Sequence, residues 1–184
     1  MIVVASMGTD HHRFTRLAGW LEDWLPRHPD VELRVQHGAT RPVSGARNVE
    51  RLTHQDLTRW LAQADAAVLQ GGPGGIMDAL SEGMRPIVVP RLKVFDEVVD
   101  DHQLDFCSRL ADDGVVALAD SQDILEDLLD ETLNGRLDWR TARRTSIAPG
   151  VLAVREHLCA PPRRRESAWR RARALHGGRR RTVR

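Results

Sequence analysis

Short apolar runs alternate with segments of helical periodicity along most of the chain. The first run, at residues 2–5, is β-branched and ends at a turn containing Gly8, and the segment after it keeps helical spacing as far as Pro26. A continuous apolar run of this kind is typical of a strand that is covered on both faces of a parallel sheet. The repeated alternation predicts a doubly wound α/β fold. The predicted strands are residues 2–5, 31–35, 49–52, 66–69, 87–89 and 115–119.

The charge is divided unevenly between the two ends of the chain. Residues 161–184 contain ten arginines and one glutamate, a net charge of +9, so the rest of the 184-residue chain carries −8 within a total of +1. The length favours one domain with a short appendage. We therefore predict a domain at residues 1–160 and a basic C-terminal tail at 161–184 that is disordered or conditionally helical. Such a tail suits an anionic lipid surface, nucleic acid or simple solubility, and spacing does not separate the three.

Composition excludes several classes of protein. The two cysteines, Cys107 and Cys159, have no metal or redox spacing, which predicts reduced thiols. No apolar run approaches the ~20 residues of a membrane span, and the first residues do not resemble a signal peptide. These observations predict a cytoplasmic protein. The single lysine, Lys93, excludes the lysine of a Walker phosphate loop.

Two of the predicted strand-to-helix turns are rich in glycine. They are residues 6–9, which contain Gly8, and residues 71–75, of which four are glycines. Glycine lets the backbone approach an anion closely, and the helix that follows offers free N–H groups. Tight packing explains the first turn equally well, whereas the second has more glycines than packing requires. Neither the dinucleotide pattern Gly-x-Gly-x-x-Gly nor the hydrolase pattern Gly-x-Ser-x-Gly is present. The two turns predict a ligand that carries phosphate.

Polar residues follow both turns. Asp78 is predicted in the first turn of its helix, where it can accept hydrogen bonds from a ribose or simply complement the helix dipole. His102 and Gln103 begin another predicted helix, where a phosphate or sugar would lie. The sequence Asp10-His11-His12 fits a metal site, a phosphate or acceptor contact, or a solvated loop. Adjacent residues such as Asp101 and His102 do not share a helix face, which argues against a metal pair there. We predict no metal site and no cofactor.

These segments, taken in order, resemble the C-terminal, donor-binding half of family 28 glycosyltransferases. That family includes the peptidoglycan N-acetylglucosaminyltransferase and the small catalytic subunit of the two-component UDP-GlcNAc transferases. The resemblance covers about residues 1–135. The matching segments are SMGT at 6–9, AD at 64–65, GGPGGIMDAL at 71–80 with Gly83, IVVPR at 87–91 and HQ at 102–103.

The resemblance implies a single Rossmann-like half of a GT-B enzyme that binds a UDP-sugar. It implies that the turn at Gly8 and Thr9 meets the diphosphate or the acceptor. It further implies that Gly72, Gly74 and Gly75 bind the diphosphate and that Asp78 binds the ribose. The donor sugar would contact His102 and Gln103, and the uracil would contact the backbone near Thr53 and His54. Two residues depart from the family pattern: Asp78 stands where the family usually has Glu, and Gly75 replaces a Ser or Thr.

A complete GT-B enzyme has a second Rossmann half, and no second half is predicted in these 184 residues. The resemblance therefore implies one subunit of an inverting hexosyl or N-acetylhexosaminyl transferase in cell-envelope or exopolysaccharide synthesis. Its partner subunit would hold a lipid-linked or polysaccharide acceptor, at the inner face of an anionic membrane to which the tail can bind. No general base is assigned, and His11 and His12 are candidates by proximity alone. The alternatives are a non-catalytic regulatory subunit that binds nucleotide sugars and, less favoured, a nucleic-acid-binding protein acting through the tail.

Overall fold

The structure, a computed structural model, describes residues 1–137 together with 139, 154, 156 and 158. Its strands form one parallel sheet in the order β3-β2-β1-β4-β5-β6. This order is that of the doubly wound Rossmann-type fold, and it confirms the predicted fold class. The strands are β1 (Ile2–Ser6), β2 (Glu32–Gln36), β3 (Arg47–Val49), β4 (Ala66–Gln70), β5 (Ile87–Val89) and β6 (Ala117–Leu118).

Helices connect the strands and cover the sheet. They are α1 (Thr15–Trp24), α2 (His54–Gln63), α3 (Pro73–Ser81), α4 (His102–Asp112) and α5 (Gln122–Leu133), with single 3-10 turns at Leu25–Arg27 and Lys93–Phe95. Two helices begin at side-chain caps, since Thr53 accepts from the Asp56 N–H before α2 and Ser121 accepts from the Ile124 N–H before α5. In contrast, α3 has Gly72 as its N-cap and Pro73 in its first position, and, like α1 and α4, it has no side-chain cap among the described residues.

The third strand is not where the sequence predicted it. We predicted residues 49–52, and the structure places β3 at Arg47–Val49. The Asn48 side chain causes this difference, because it bonds the Val43 N–H and the carbonyls of Val43 and Ala46 and so ties the preceding loop to the strand. Beyond the strand, the Gln36 side chain binds the Leu52 N–H and keeps that residue in a loop.

Buried apolar side chains form two clusters, and the larger one contains most of the strand residues. The larger cluster includes residues of α1, α2 and α5, and the smaller one gathers Ile76, Val88, Cys107, Leu110, Val116 and Val154. Cys107 is a free thiol, as predicted, whereas Cys159 lies outside the described residues. The predicted tail at 161–184 and its boundary also lie outside them. Among the described residues, no helix combines the length and the apolar composition needed to cross a membrane.

Cys107 should resist alkylation in the folded protein. Its side chain is fully buried, and burial raises the pKa of the thiol to about 12. Because the thiolate is the nucleophile, only roughly one molecule in ten thousand carries it at pH 8. Iodoacetamide labelling followed by peptide mass spectrometry should find Cys107 unmodified in native protein and modified in urea. Equal labelling rates in the two conditions would contradict the burial of Cys107.

The parallel sheet also fixes where a ligand can enter. All carboxyl ends of the strands lie at one edge, and the direction of winding changes between β1 and β4. Ligands of open α/β sheets bind in the crevice outside the carboxyl ends at such a switch point. The two glycine-rich turns leave β1 and β4 at this position. The fold therefore brings together the two turns that the sequence analysis selected.

Candidate functional site

The glycines of the crevice have two different roles. Gly8 has a φ of +76°, and a Cβ there would overlap the Gln70 side chain. At Gly72 a Cβ would lie 2.9 Å from the Gln70 amide nitrogen, and at Gly71 it would lie 2.8 Å from the Cys107 sulfur. A side chain at any of these three glycines would therefore have to displace the Gln70 or the Cys107 side chain. Close packing thus contributes to the choice of glycine at Gly8, where the sequence left packing and ligand contact open, and also at Gly71 and Gly72.

Packing does not explain the glycines at positions 74 and 75. A Cβ at Gly74 would meet no atom within 4 Å, and a Cβ at Gly75 would make only an ordinary contact with Leu69. Both residues lie in the first turn of α3, whose N–H groups have no acceptor within the helix. The open space and free N–H groups at the positive end of the helix dipole suit an anion.

Asp78 and His54 meet beside this helix. The Asp78 Oδ1 lies 3.3 Å from the His54 Nδ1, with the Asp78 side chain 21% exposed and the His54 side chain 76% exposed. The helix begins at Pro73, so Asp78 lies in its second turn rather than the first turn that the sequence predicted. Because the dipole effect falls off within the first turn, this position weakens the interpretation of Asp78 as a dipole complement. The contact joins two residues that the resemblance assigned to a nucleoside.

The predicted pair on α4 separates into one crevice residue and one exposed residue. The Gln103 Oε1 accepts the Arg91 N–H at 3.4 Å and lies close to Gly71, at the end of β4. In contrast, the His102 side chain is 74% exposed and its Nδ1 lies 2.7 Å from the Asp100 carboxylate. Hydrogen bonds from the backbone N–H and the ring of His102 lower the pKa of Asp100. The structure thus places Gln103, but not His102, against the glycine turn.

Asp10, His11 and His12 lie together in the loop between β1 and α1, beyond the exposed Thr9. Their ligand atoms lie within 4.8 Å of one another, close enough for a metal ion to be held between them. The Asp10 Oδ1, however, accepts the His12 backbone N–H at 2.8 Å and lies 2.7 Å from its Nδ1, so the cluster is also satisfied by its own hydrogen bonds. The backbone hydrogen bond from His12 is the largest contribution to the lowered pKa of Asp10.

An open cleft of about 580 Å³ lies beside this loop. Its opposite wall is the segment after β5, which an ion pair anchors: Glu97 is 2% exposed and receives two hydrogen bonds from Arg16, at 2.9 and 3.1 Å. Arg16 also donates to the Pro90 carbonyl at 2.7 Å. The residues that line the cleft are His11, His12, Arg13, Thr15, Arg16, Phe95, Asp96 and Glu97.

The sequence analysis missed two residues at the centre of the crevice. Gln70, the last residue of β4, lies between the two glycine turns, and Arg91, 1% exposed, lies beneath them. Burial lowers the pKa of the Arg91 guanidinium. A polar residue at the end of a buried strand was the available signal for Gln70. Arg91 belonged to a matching segment, IVVPR, without any role being assigned to it.

This chain was compared with known protein structures, protein families and curated sequences. In fold, the glycotransferase of kitacinnamycin matches at a TM-score of 0.57 and 18% identity, over 85% of this chain and 39% of that one. The glycosyltransferase SnogD from Streptomyces nogalater matches at a TM-score of 0.49 and 18% identity, over 88% of this chain and 40% of that one. The C-terminal CMP-Kdo binding domain of WaaA from Acinetobacter baumannii matches at a TM-score of 0.45 and 11% identity, over 87% of this chain and 90% of that one. This chain thus spans about two fifths of the length of each of the first two proteins.

The first of these likenesses shows the fold alone, because its sequence identity is low. No curated protein matches the sequence. A model of the protein family described as the glycosyltransferase family 28 C-terminal domain, however, matches residues 15–151, well over half of the chain. The chain therefore belongs to the glycosyltransferase family 28 C-terminal domain family.

Proposed function

We propose that this chain binds a UDP-sugar in the crevice between β1 and β4 and forms the donor-binding part of an inverting glycosyltransferase. The observation that carries the proposal is the uncapped start of α3. There Gly74 has open space where a side chain would be, in the turn whose N–H groups have no acceptor within the helix. A diphosphate fits this site, because it offers several anionic oxygens to the N–H groups and to the helix dipole.

The nucleoside would lie toward the Asp78–His54 pair. A carboxylate oxygen of Asp78 can accept a hydrogen bond from a ribose hydroxyl, and Asp78 lies one turn along α3 from Gly74 and Gly75. His54, the first residue of α2, is largely exposed and borders the same space. Gln103 lies at the other side of the glycine turn, where it would contact the sugar or the phosphate attached to it.

In the proposed reaction, an acceptor hydroxyl oxygen attacks the anomeric carbon as the bond from that carbon to the diphosphate oxygen breaks. Negative charge then grows on the departing UDP, and the N-terminus of α3 would stabilise it in place before the reaction begins. The hydroxyl proton passes to a base. His11 and His12 line the cleft at the same edge of the sheet, and a base of the partner subunit is the alternative.

The proposed enzyme also includes a partner subunit. The chain spans 39% of the kitacinnamycin glycotransferase, so the matched region is the smaller part of that relative. We propose that a second protein holds the acceptor over the carboxyl edge of the sheet, facing the open cleft beside His11 and His12. The proposed acceptor is lipid-linked or a polysaccharide of the cell envelope.

Replacing Asp78 by alanine should weaken UDP binding about tenfold, because one hydrogen bond to a charged group is lost. Isothermal titration calorimetry with UDP measures the effect. The same titration should be repeated with UDP-GlcNAc, UDP-glucose, UDP-galactose, GDP- and dTDP-sugars and NAD to identify the preferred donor. The matched control is Asp127→Ala, which removes an exposed carboxylate from α5 and should leave the affinity unchanged. Equal affinity of Asp78→Ala and the wild type would refute the nucleoside site. A wild-type protein that binds no UDP would refute the proposed function itself.

A further inference from the structure

Arg91 connects four segments that meet beneath the crevice. Its side chain is 1% exposed and donates hydrogen bonds to the Met7 carbonyl at 2.7 Å and to the His12 carbonyl at 2.9 Å. It also donates to the Glu97 carbonyl at 2.9 Å, and its Nε donates to the Gln70 Oε1 at 2.8 Å. One buried side chain thus joins the end of β1, the loop that follows it, the end of β4 and the segment after β5.

The bond from Arg91 decides which way the Gln70 amide faces. A guanidinium has donors and no acceptor, so only the amide oxygen of Gln70 can point toward it. The amide nitrogen must then lie on the other side, and it does: a Cβ on Gly8 would overlap it, and a Cβ on Gly72 would lie 2.9 Å away. Among the residues that the structure describes, this nitrogen donates to no oxygen.

The acceptors of Arg91 are all uncharged. Three are backbone carbonyls and one is the Gln70 amide oxygen, while the nearby Glu97 carboxylate is engaged by Arg16. No carboxylate bonds the Arg91 guanidinium directly, although the Asp10 and Glu97 carboxylates lie near enough to offset part of its charge. The rest of the charge attracts an anion. An anion bound between the two glycine turns would lie above this positive charge and beside the free amide nitrogen of Gln70.

We propose that Gln70 is a ligand-binding residue and that Arg91 is its positioning residue, which turns the Gln70 amide N–H groups toward an oxygen of the bound nucleotide. The inference rests on the proposed function, because it takes the diphosphate of UDP as the ligand. Arg91 has a second task in this scheme: by holding the carbonyls of Met7 and His12 it fixes the turn at Gly8 against Gln70.

A double-mutant cycle on UDP affinity tests the coupling. Gln70→Ala and Arg91→Lys should each weaken UDP binding about tenfold in calorimetry, the effect of one lost hydrogen bond to an anion. The double variant should lose clearly less affinity than the product of the two single losses, because the part of the Arg91 effect that acts through the Gln70 amide is already absent in Gln70→Ala. If the loss of UDP affinity in the double variant equals the product of the two single losses, Gln70 and Arg91 act independently and the positioning role is overturned.

A matched control separates positioning from general stability. Arg34 is also buried and donates to a glutamine oxygen, that of Gln63 at 2.8 Å, with Glu32 as its other partner. Arg34→Lys therefore disturbs an arginine–glutamine pair, with the arginine buried and Gln63 exposed, that does not join the crevice segments. It should lower the urea midpoint as Arg91→Lys does, and it should leave UDP affinity unchanged. Equal loss of UDP affinity in the two variants would assign Arg91 a merely structural role.

Gln70→Glu tests the proposal even if Arg91→Lys does not fold. This substitution keeps an oxygen for Arg91 and replaces the amide nitrogen, which faces the crevice, by an anionic oxygen of the same size. The variant should keep its urea midpoint, because it gains an ion pair with Arg91, and its UDP affinity should fall by more than tenfold through charge repulsion. Wild-type affinity in Gln70→Glu would overturn the inference and leave the proposed function intact. Failure of the wild type to bind UDP would overturn both.

Discussion

Replacing Trp24 by alanine should lower the free energy of unfolding by about 3–5 kcal/mol, the usual cost of truncating a large buried aromatic residue. Trp24 ends α1 and is fully buried, stacked on the His28 ring with 4.4 Å between the ring centroids. Its indole N–H donates to the Asp130 carboxylate of α5 at 2.7 Å. Because domains of this kind are stable by only about 5–15 kcal/mol, the loss should remove a large part of the total.

Urea denaturation followed by circular dichroism measures this loss, and it avoids the mixed fluorescence of a chain with five tryptophans. Trp24→Phe is the matched variant, since it keeps an aromatic ring and removes only the indole N–H. It should cost about 1–2 kcal/mol, the contribution of a hydrogen bond to a charged group with little loss of packing. An alanine variant within 1 kcal/mol of the wild type would show that Trp24 does not hold α5 in place.

Trp24 illustrates how much of the fold could be predicted. Its burial followed from the helical spacing of apolar residues before Pro26, and the buried strands followed from continuous apolar runs. Its partner Asp130 is 106 positions away, and nothing in the local pattern indicates it. The third strand was misplaced for the same reason: β3 is short and only partly buried, and its position depends on hydrogen bonds of Asn48 and Gln36 with loop residues.

The candidate site, like the fold, could be predicted from the sequence only in part. The glycine-rich turns identified the crevice, because glycine clusters at strand ends signal close approach of the backbone. Sequence alone did not distinguish the glycines that pack against Gln70 from those that face open space, since this depends on the neighbouring turn. The role of Arg91 was beyond sequence reasoning, because it depends on four segments that only the sheet order brings together.

Gly74→Ala should separate binding from folding more sharply than any other substitution in the crevice. The new methyl group would meet no protein atom within 4 Å, so the fold can accept it without strain. Alanine also has a higher helix propensity than glycine, which should make the variant up to about 1 kcal/mol more stable. The same methyl group would occupy the space in which we place the diphosphate. We therefore expect UDP affinity to fall about a hundredfold, equivalent to about 2.7 kcal/mol.

Gly19→Ala is the matched control, because Gly19 also lies in a helix, α1, and a Cβ there would likewise meet no atom within 4 Å. Both variants should raise the urea midpoint, and only Gly74→Ala should reduce UDP binding in calorimetry. If both variants bind UDP as the wild type does, the first turn of α3 is not the phosphate site, and the open space at Gly74 has another cause. If both lose affinity, the effect comes from helix stiffening rather than from a blocked site. A loss confined to Gly74→Ala would locate the diphosphate at the start of α3, where N–H groups without an acceptor in the helix face open space.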